Sequence, residues 1–241
     1  MSFLEGQTAF ITGGSRGIGK AIALHLAQAG AKIAICARRE PYLEEAAREL
    51  QSLTPDYLAL PLDIRRASDV KSAVERIETT LGPIGILINN AGIYRKGTVW
   101  EMDVDDWDAQ FEINLKGHFL VTQAVVPGMI ARRRGRILFL STVSALFSFP
   151  GISCYTAVKR GLEGFAGCLG QELCGHGIKV HVLRPGFTET AIFEETGKPD
   201  LDIDWFQPRE IAEAVEFLLR LPEHAQVPEL TYMTTFDRSQ Y

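Results

Sequence analysis

The amino-acid sequence predicts an α/β fold, in which helices cover a parallel β-sheet. Short apolar runs alternate with longer segments of helical periodicity along almost the whole chain. These runs are apolar at consecutive positions, as in strands that are buried on both faces. Strand, helix and strand repeated in this way indicate a parallel sheet. The predicted strands are Thr8–Thr12, Lys32–Ala37, Tyr57–Leu62, Ile84–Ile88, Arg136–Ser141 and Lys179–Leu183.

The segments between the strands have the spacing of amphipathic helices. Leu43, Ala47 and Leu50 share one predicted helical face, and a second face carries Val70, Val74, Ile77 and Leu81. The least regular stretch is residues 188–207, which mixes aromatic and acidic side chains. This composition favours a loop that closes over a substrate, although an ordinary long connection has the same character.

Composition excludes several classes of protein. The 241 residues are 46% hydrophobic, and no linker or repeat divides them, so we predict a single domain over residues 1–241. A formal net charge of −5 gives no general attraction to nucleic acid or to an anionic membrane. The four cysteines lack metal-ligand spacing, and no metal site is predicted. The N-terminus has no signal-peptide pattern and no run spans a bilayer, which predicts a cytoplasmic protein.

A glycine-rich loop follows the first strand directly, with the sequence Thr12-Gly13-Gly14-Ser15-Arg16-Gly17-Ile18-Gly19. Its glycines permit a tight turn and a close approach of the backbone, and the next helix presents free N–H groups to a pyrophosphate. The spacing is Gly-x-x-x-Gly-x-Gly instead of the Gly-x-Gly-x-x-Gly of most dinucleotide-binding folds. Its place between a strand and a helix predicts a dinucleotide site.

The end of the second strand indicates which dinucleotide is bound. An acidic residue at this place holds the ribose 2′-hydroxyl of NAD, whereas a 2′-phosphate needs positive charge. Here Ala37 stands in place of the acid, Arg38 follows it, and Arg16 of the glycine loop can approach the same phosphate. We therefore predict NADP(H) in preference to NAD(H). The alternative is that both arginines are ordinary exposed loop residues, which the nearby Glu40 keeps open.

Tyr155 and Lys159 are separated by one helical turn, so their side chains share a face of the predicted helix. A cation beside a phenol lowers its pKa from about 10 toward the range of general acid–base catalysis. An exposed surface pair would have the same spacing. The context of the pair must decide its role.

Taken together, the motifs resemble those of the short-chain dehydrogenase/reductase family, in its single-domain branch. The resemblance extends from Gly6 to about Tyr232. Within the family, the chain resembles the 3-oxoacyl-reductase-like members. Such a resemblance implies a Rossmann-type doubly wound parallel sheet of about seven strands in the order 3-2-1-4-5-6-7. Its marks are Thr12-Gly13-x-x-x-Gly17-x-Gly19, Asp63-Ile64, Asn89-Asn90-Ala91-Gly92, Asn114, Tyr155-x-x-x-Lys159 and Pro185-Gly186.

The resemblance also implies roles for individual residues. Tyr155 would protonate a carbonyl oxygen during reduction, and Lys159 would lower the pKa of Tyr155, aided by oxidised nicotinamide, while binding the nicotinamide ribose. Asn114 would hold a water that links Lys159 to solvent. The implied cofactor-binding residues are Gly13, Ser15, Arg16, Gly17, Ile18, Gly19, Arg38, Asp63, Ile64, Asn90, Ala91, Gly92, Tyr155, Lys159, Pro185, Gly186, Thr188 and Thr190.

One position departs from the family pattern. The family normally places a serine 13 residues before the tyrosine, and here that position holds Thr142. Threonine keeps a hydroxyl that donates and accepts, while its methyl group restricts χ1 and narrows the pocket. We therefore predict Thr142 as the fourth catalytic residue. Ser141 and Ser144 are alternatives that require a shifted loop, and a purely structural Thr142 remains possible.

These observations predict an NADP(H)-dependent oxidoreductase acting on a ketone or secondary alcohol. A non-catalytic NADP-binding regulator is one alternative. A nucleotide-sugar epimerase or dehydratase is another, but few residues follow Pro185 to form the substrate domain it requires. The resemblance implies a homodimer or homotetramer built on helices at Asp105–Arg132 and Tyr155–Cys174.

Overall fold

A seven-stranded parallel sheet organises the chain in the computed structural model, which describes residues 2–194, 197–198 and 204–234. The strand order is β3-β2-β1-β4-β5-β6-β7, and every pairing is parallel, so the predicted fold is confirmed. The strands are β1 (Thr8–Thr12), β2 (Lys32–Ala37), β3 (Tyr57–Pro61), β4 (Ile84–Asn89), β5 (Gly135–Leu140), β6 (Ile178–Pro185) and β7 (Glu229–Tyr232).

Helices cover both faces of the sheet because its central strands, such as β1 and β4, are buried on both sides. Phe10 of β1 joins one core, whereas its neighbours Ala9 and Ile11 join the other. The first core packs against α3, α5 and α6, and the second against α1, α2 and α7. These helices, with α4, are α1 (Gly17–Gln28), α2 (Glu40–Gln51), α3 (Ala67–Leu81), α4 (Val104–Phe111), α5 (His118–Arg132), α6 (Ser153–Leu173) and α7 (Pro208–Arg220).

The predicted helical faces agree with the structure in detail, with one exception. All four apolar residues predicted on α3 are buried, whereas in α2 Ala46 is buried and Ala47 is only half-buried. The sixth strand is longer than predicted, since it was expected to end at Leu183 and β6 ends at Pro185. The extension forms because Arg184 and Pro185 pair with Thr231 and Tyr232 of the edge strand β7.

The arginines near the end of α5 lie in different local structures. Arg132 is in the last turn and donates to the Ile84 carbonyl over 2.9 Å. Arg133 ends the helix with a φ of 51°, and Arg136 lies in β5, where it donates to the Leu221 carbonyl over 3.0 Å. These arginines stabilise the packing of the sheet against its helices.

A π-helical stretch, Glu112–Gly117, joins α4 to α5 without a break. Such stretches add a residue to a helical turn and are frequent at functional sites. Asn114 lies in this stretch, fully buried. The helix therefore changes its register at a residue that the sequence marks as part of the site.

The strand order reverses between β1 and β4, which pair with each other while their following segments lead to opposite sides of the sheet. Ligands of doubly wound sheets bind outside the carboxyl ends of the strands at this point. The glycine loop follows β1, and Asn90 to Gly92 follow β4. The topology thus brings these two sequence motifs together.

Candidate active site

The glycine loop is packed so tightly that side chains are excluded at two positions. Gly13 has a φ of +66°, and a Cβ atom there would lie 2.8 Å from Cα of Ala91. A Cβ atom on Gly19, in the first turn of α1, would lie 2.3 Å from the Gly13 carbonyl oxygen. Because both contacting atoms belong to the backbone, they cannot shift to admit a side chain at Gly13 or Gly19. The loop keeps the N-terminus of α1 open to a ligand.

The loop after β4 holds the glycine loop in place. Nδ2 of Asn90 donates to the carbonyl oxygens of Thr12 and Gly13 over 2.9 and 3.2 Å. In return, Oγ1 of Thr12 accepts from the backbone N–H groups of Asn90 and Ala91. The Asn90 side chain therefore supports the glycine loop.

A cleft of about 250 Å³ runs along the carboxyl ends of the strands. Most of the sequence-predicted cofactor residues line it. Gly19 lies behind this surface, and Gly186 and Thr188 line a second pocket instead. The predicted residues on the cleft wall are Gly13, Ser15, Arg16, Gly17, Ile18, Arg38, Asp63, Ile64, Asn90, Ala91, Gly92, Tyr155, Lys159, Pro185 and Thr190.

Positive charge is concentrated at the end of the cleft next to β2. Arg16 and the exposed Arg38 both line it, as do Arg39 and Tyr42, which the sequence reading did not single out. The Arg16 guanidinium lies 5.5 Å from the Tyr42 ring centroid and forms an ion pair of 2.8 Å with Glu194. Glu194 belongs to the predicted substrate loop, so this ion pair joins that loop to the glycine loop.

Asp63 also lines the cleft, within electrostatic reach of Arg38. Arg65 contacts its carboxylate with both Nε and Nη2, the shorter distance being 2.6 Å. These hydrogen bonds hold the pKa of Asp63 below its usual value, and Arg38 contributes to the same effect. Asp63 is therefore ionised and fixed in orientation at the cleft wall.

The side chain of Asn114 binds the neighbouring loop with both ends of its amide. Its Oδ1 accepts from the Ile93 N–H, and its Nδ2 donates to the Ile93 carbonyl, each over 2.8 Å. One turn further along, Nε2 of the buried His118 donates to the Ala91 carbonyl over 2.6 Å. Burial and the charge of Lys159 lower the pKa of His118 to about 3, so this histidine is neutral. Both residues fix the loop that carries Tyr94.

Tyr155 and Lys159 lie in the first two turns of α6, as predicted. Nζ of Lys159 lies 5.8 Å from the Tyr155 ring centroid and donates to the Leu140 carbonyl over 2.7 Å. Burial lowers the pKa of Lys159 to about 8, against the opposing charge of Glu163. The ammonium is thus held at the end of β5, beside the tyrosine.

The expected lowering of the Tyr155 pKa is wrong for this structure. Burial raises the pKa above its usual value, and the adjacent Tyr94 adds to the rise. The two rings meet edge to face with centroids 5.1 Å apart. The sequence did not mark Tyr94, because it lies in a loop outside every motif. A phenol in these surroundings is protonated at neutral pH, which is the form that donates a proton.

Thr142 lies two residues after the end of β5 and caps the short helical turn Val143–Ala145. Its Oγ1 accepts from the Ser144 N–H over 3.2 Å and lies 3.4 Å from the Ser144 hydroxyl, to which it donates. Both side chains line the second pocket with Tyr155. Ser141 instead donates to Glu163 over 2.5 Å. Of the three candidate hydroxyls, that of Ser141 is bound to Glu163, while those of Thr142 and Ser144 bind each other at the pocket wall.

Glu163 belongs to a buried charge network that the sequence reading missed. Arg184 donates to both of its carboxylate oxygens, over 2.7 and 2.9 Å, and also contacts Glu229 over 2.7 Å. Side-chain exposure is 7% for Arg184 and 12% for Glu163. The network ties α6, β6 and β7 to Ser141, the residue next to Thr142.

The second pocket has a volume of about 310 Å³ and adjoins the first cleft. Tyr155, Tyr94 and Ser141 line both. The predicted substrate loop forms one wall, where Thr188 pairs with Phe206 in an isolated bridge and Ala191–Phe193 form a helical turn. The rest of that loop, residues 195–196 and 199–203, lies outside the described part of the chain.

The fold is a parallel sheet with a glycine-loop cleft, and a Tyr-Lys pair lies between this cleft and a second pocket. This combination is typical of a class of nicotinamide-dependent oxidoreductases. The family model for short chain dehydrogenases matches residues 7–200. The chain therefore belongs to the short-chain dehydrogenase/reductase family, and the predicted resemblance is confirmed.

Individual relatives cover nearly the whole chain. The 3-oxoacyl-[acyl-carrier-protein] reductase FabG of Thermotoga maritima is 36% identical over 223 residues, with 89% of this chain and 91% of the relative covered. Oxidoreductase UcpA of Escherichia coli is 35% identical, covering 100% of this chain and 92% of its own length. The structure is similar to an alcohol dehydrogenase of the archaeon Thermococcus sibiricus complexed with 5-hydroxy-NADP. Its TM-score is 0.89 at 28% identity, with 98% and 99% of the two chains covered.

Among residues 2–194, 197–198 and 204–234, no helix has both the length and the apolar character needed to cross a membrane. In the same part of the chain, no group of three or more His, Cys, Asp or Glu side chains is placed to hold a metal ion.

Proposed function

We propose that this protein is an NADP(H)-dependent oxidoreductase that transfers hydride between the cofactor and a ketone or secondary alcohol. The observation that carries the proposal is the position of Tyr155, which lies on the wall common to the dinucleotide-shaped cleft and the second pocket. A substrate carbonyl in the second pocket would therefore meet a protonated phenol on the side that faces the cleft.

The cleft fits a nicotinamide dinucleotide in the character of its walls. The glycine loop leaves no space for side chains at Gly13 and Gly19, so backbone N–H groups can approach a pyrophosphate. Asp63 and Ile64 would flank the adenine, and Tyr155 and Lys159 the nicotinamide ribose. The carboxamide would contact residues 185–190 and the adenine ribose residues 90–92. When bound, the nicotinamide would supply or accept the hydride.

The charge at the β2 end of the cleft supports NADP(H) over NAD(H). Ala37 offers no carboxylate to a ribose hydroxyl, while Arg16, Arg38 and Arg39 line the wall. Guanidinium groups bind phosphate with paired hydrogen bonds, and NAD lacks the 2′-phosphate that would use them. The NADP analogue in the similar alcohol dehydrogenase structure points the same way.

Proton transfer is assigned to the residues around Tyr155. Its hydroxyl would donate to the carbonyl oxygen, and the Thr142 hydroxyl would orient that oxygen, in the role that serine has in most of the family. The ammonium of Lys159 would stabilise the phenolate that forms. Asn114 would support a water between Lys159 and solvent.

The test replaces the phenol and separates binding from turnover. In Tyr155→Phe, NADPH affinity should stay within about threefold, while NADPH oxidation by ketones should fall at least about 100-fold, the range attributed to a general acid. Tyr57→Phe, which removes a hydroxyl at the start of β3, serves as a matched control with unchanged turnover. Substantial ketone reduction by Tyr155→Phe would refute the assignment. NADPH binding without turnover of any carbonyl by the unmodified protein would favour a regulator.

We also propose a cytoplasmic homodimer or homotetramer. All four cysteines are free thiols, as expected in a reducing compartment. Apolar side chains are exposed on the helices predicted to form the interface, with Trp107 at 39% and Phe119 at 41%. Sedimentation analysis would give the assembly, and a monomer at micromolar concentration would contradict it.

A further inference from the structure

An arc of aromatic rings encloses the second pocket. Each ring contacts the next, with centroid separations of 5.1, 5.7, 5.5, 5.2 and 6.4 Å. The arc begins at the proton-donating phenol and crosses three loops that follow different strands. In order, its members are Tyr155, Tyr94, Phe193, Trp205, Phe187 and Phe149.

The rings are partly exposed, and the surface they expose faces the pocket. Tyr94, Phe149, Phe187 and Phe193 are all half-buried and all line it, whereas Trp205 supports two of them from outside. Exposed apolar surface gathered in a concave site marks a place for an apolar ligand. A substrate bound here would bury the apolar surface of these rings that the folded protein leaves exposed.

The pocket is lined mainly by apolar side chains. The aromatic arc, Val143 and Ile152 supply most of this lining, and the hydroxyl-bearing Tyr155, Thr142 and Ser144 are part of it. Lys96, Thr188 and Thr190 also line the pocket, and the Thr188 hydroxyl already donates to the Gly186 carbonyl over 3.0 Å. A substrate that matches this lining has one carbonyl and a largely apolar remainder. A second polar group buried against the rings would lose hydrogen bonds to water without replacement.

We infer that the pocket is built for a compact aryl ketone, or the corresponding aryl carbinol, with its ring held within the aromatic arc. The contacts in the arc are mostly edge to face, at interplanar angles between 52° and 89°. A further aromatic ring can add to such a set with favourable quadrupole contacts, which a saturated ring cannot. The volume of about 310 Å³ is at the lower end for ligand pockets, so a single ring with a short chain fits best. This inference rests on the proposed function for its carbonyl.

The test measures binding and turnover separately. Acetophenone, cyclohexyl methyl ketone, 2-butanone and an acetoacetyl thioester are titrated calorimetrically into protein saturated with NADP⁺, where no hydride is available to them. Acetophenone should bind at least about tenfold more tightly than 2-butanone, because each additional buried carbon is worth about fourfold. It should also bind about threefold more tightly than the saturated-ring ketone.

Variants assign the preference to the arc. Phe187→Leu and Phe149→Leu should each weaken acetophenone binding by about threefold to tenfold and change 2-butanone binding by less than about twofold. Phe217→Leu is the matched control, since this phenylalanine lies on α7 with 52% exposure and should leave both affinities unchanged. Melting temperatures close to that of the parent would show that the variants fold.

Two outcomes would overturn the inference: equal affinity for acetophenone and 2-butanone, or tighter binding of the thioester than of acetophenone. The proposed function fails in a different way. If acetophenone binds as expected but none of the four compounds oxidises NADPH with the unmodified protein, the aromatic specificity stands and the hydride-transfer role does not.

Discussion

Replacing Glu163 by glutamine should destabilise the fold more than any single surface charge change. The substitution keeps the shape of the side chain but removes the charge that Arg184 contacts over 2.7 and 2.9 Å. Removing one partner of a buried ion pair costs about 3–5 kcal/mol, because the other charge stays buried. Arg184 retains Glu229, which is 55% exposed, so we reduce the expected cost to about 2–3 kcal/mol.

The assay is thermal unfolding followed by circular dichroism, with urea denaturation to obtain the free energy of unfolding. For a chain of this length, about 2–3 kcal/mol corresponds to a decrease in melting temperature of about 4–12 °C. Glu213→Gln provides the matched control, since its ion pair with Arg209 has 80% and 55% side-chain exposure. That change should cost less than about 0.5 kcal/mol.

Equal destabilisation by the two substitutions would refute the reasoning, because burial would then have no effect on the value of the pair. A double-mutant cycle with Arg184→Gln gives a second check. The two buried residues should show a coupling energy of about 1–3 kcal/mol, whereas a value near zero would mean that they stabilise the fold independently.

Three further substitutions test other parts of the site. Gly19→Ala places a Cβ atom 2.3 Å from the Gly13 carbonyl oxygen, so NADPH affinity, measured by fluorescence titration, should fall at least about tenfold, with a loss of about 1–3 kcal/mol in stability. Glu194→Gln removes the carboxylate that competes for Arg16, and NADPH should bind up to about fivefold more tightly at low salt, with NADH unchanged. The pKa of Lys159 is lowered to about 8 from 10.5, so between these pH values the unfolded chain binds more protons than the folded protein. The free energy of unfolding of the parent protein should therefore rise from pH 8 to pH 10.5, relative to that of Lys159→Met. The expected rise is up to about 3 kcal/mol. A flat difference across that window would show that the lysine is solvated.

The strands and the main motifs could be predicted because their signals are local. An apolar run, a glycine loop between a strand and a helix, and a Tyr-Lys spacing are all read within a few residues. The same limit explains what was missed. The ring of Tyr94 meets Tyr155 across 61 positions of sequence. Burial raises the Tyr155 pKa, and Tyr94 adds to the rise, where the local spacing predicted a decrease.

Glu163 and Arg184 illustrate the same limit for charges. Glu163 is a polar residue of α6 four positions after Lys159, and Arg184 is one of several polar residues in β6. Neither position is distinctive in the sequence. Only the register of β6 beside β5, with Leu140 opposite Leu183, brings the pair together behind the site. The direction of a pKa change and the worth of an ion pair both depend on burial, which no single segment of sequence reports.

The π-helical stretch at Glu112–Gly117 makes the length of this helix unusually intolerant of change. A π-helical turn holds about one residue more than an α-helical turn, so α4 and α5 keep their orientations on either side of it. Deleting one residue would restore α-helical geometry and leave Val121, Val125 and Met129 in the core. It would, however, move Asn114 away from Ile93, whose backbone N–H and carbonyl its amide binds. Insertions and deletions should thus be absent from this segment in functional variants, while point substitutions on its exposed side are accepted.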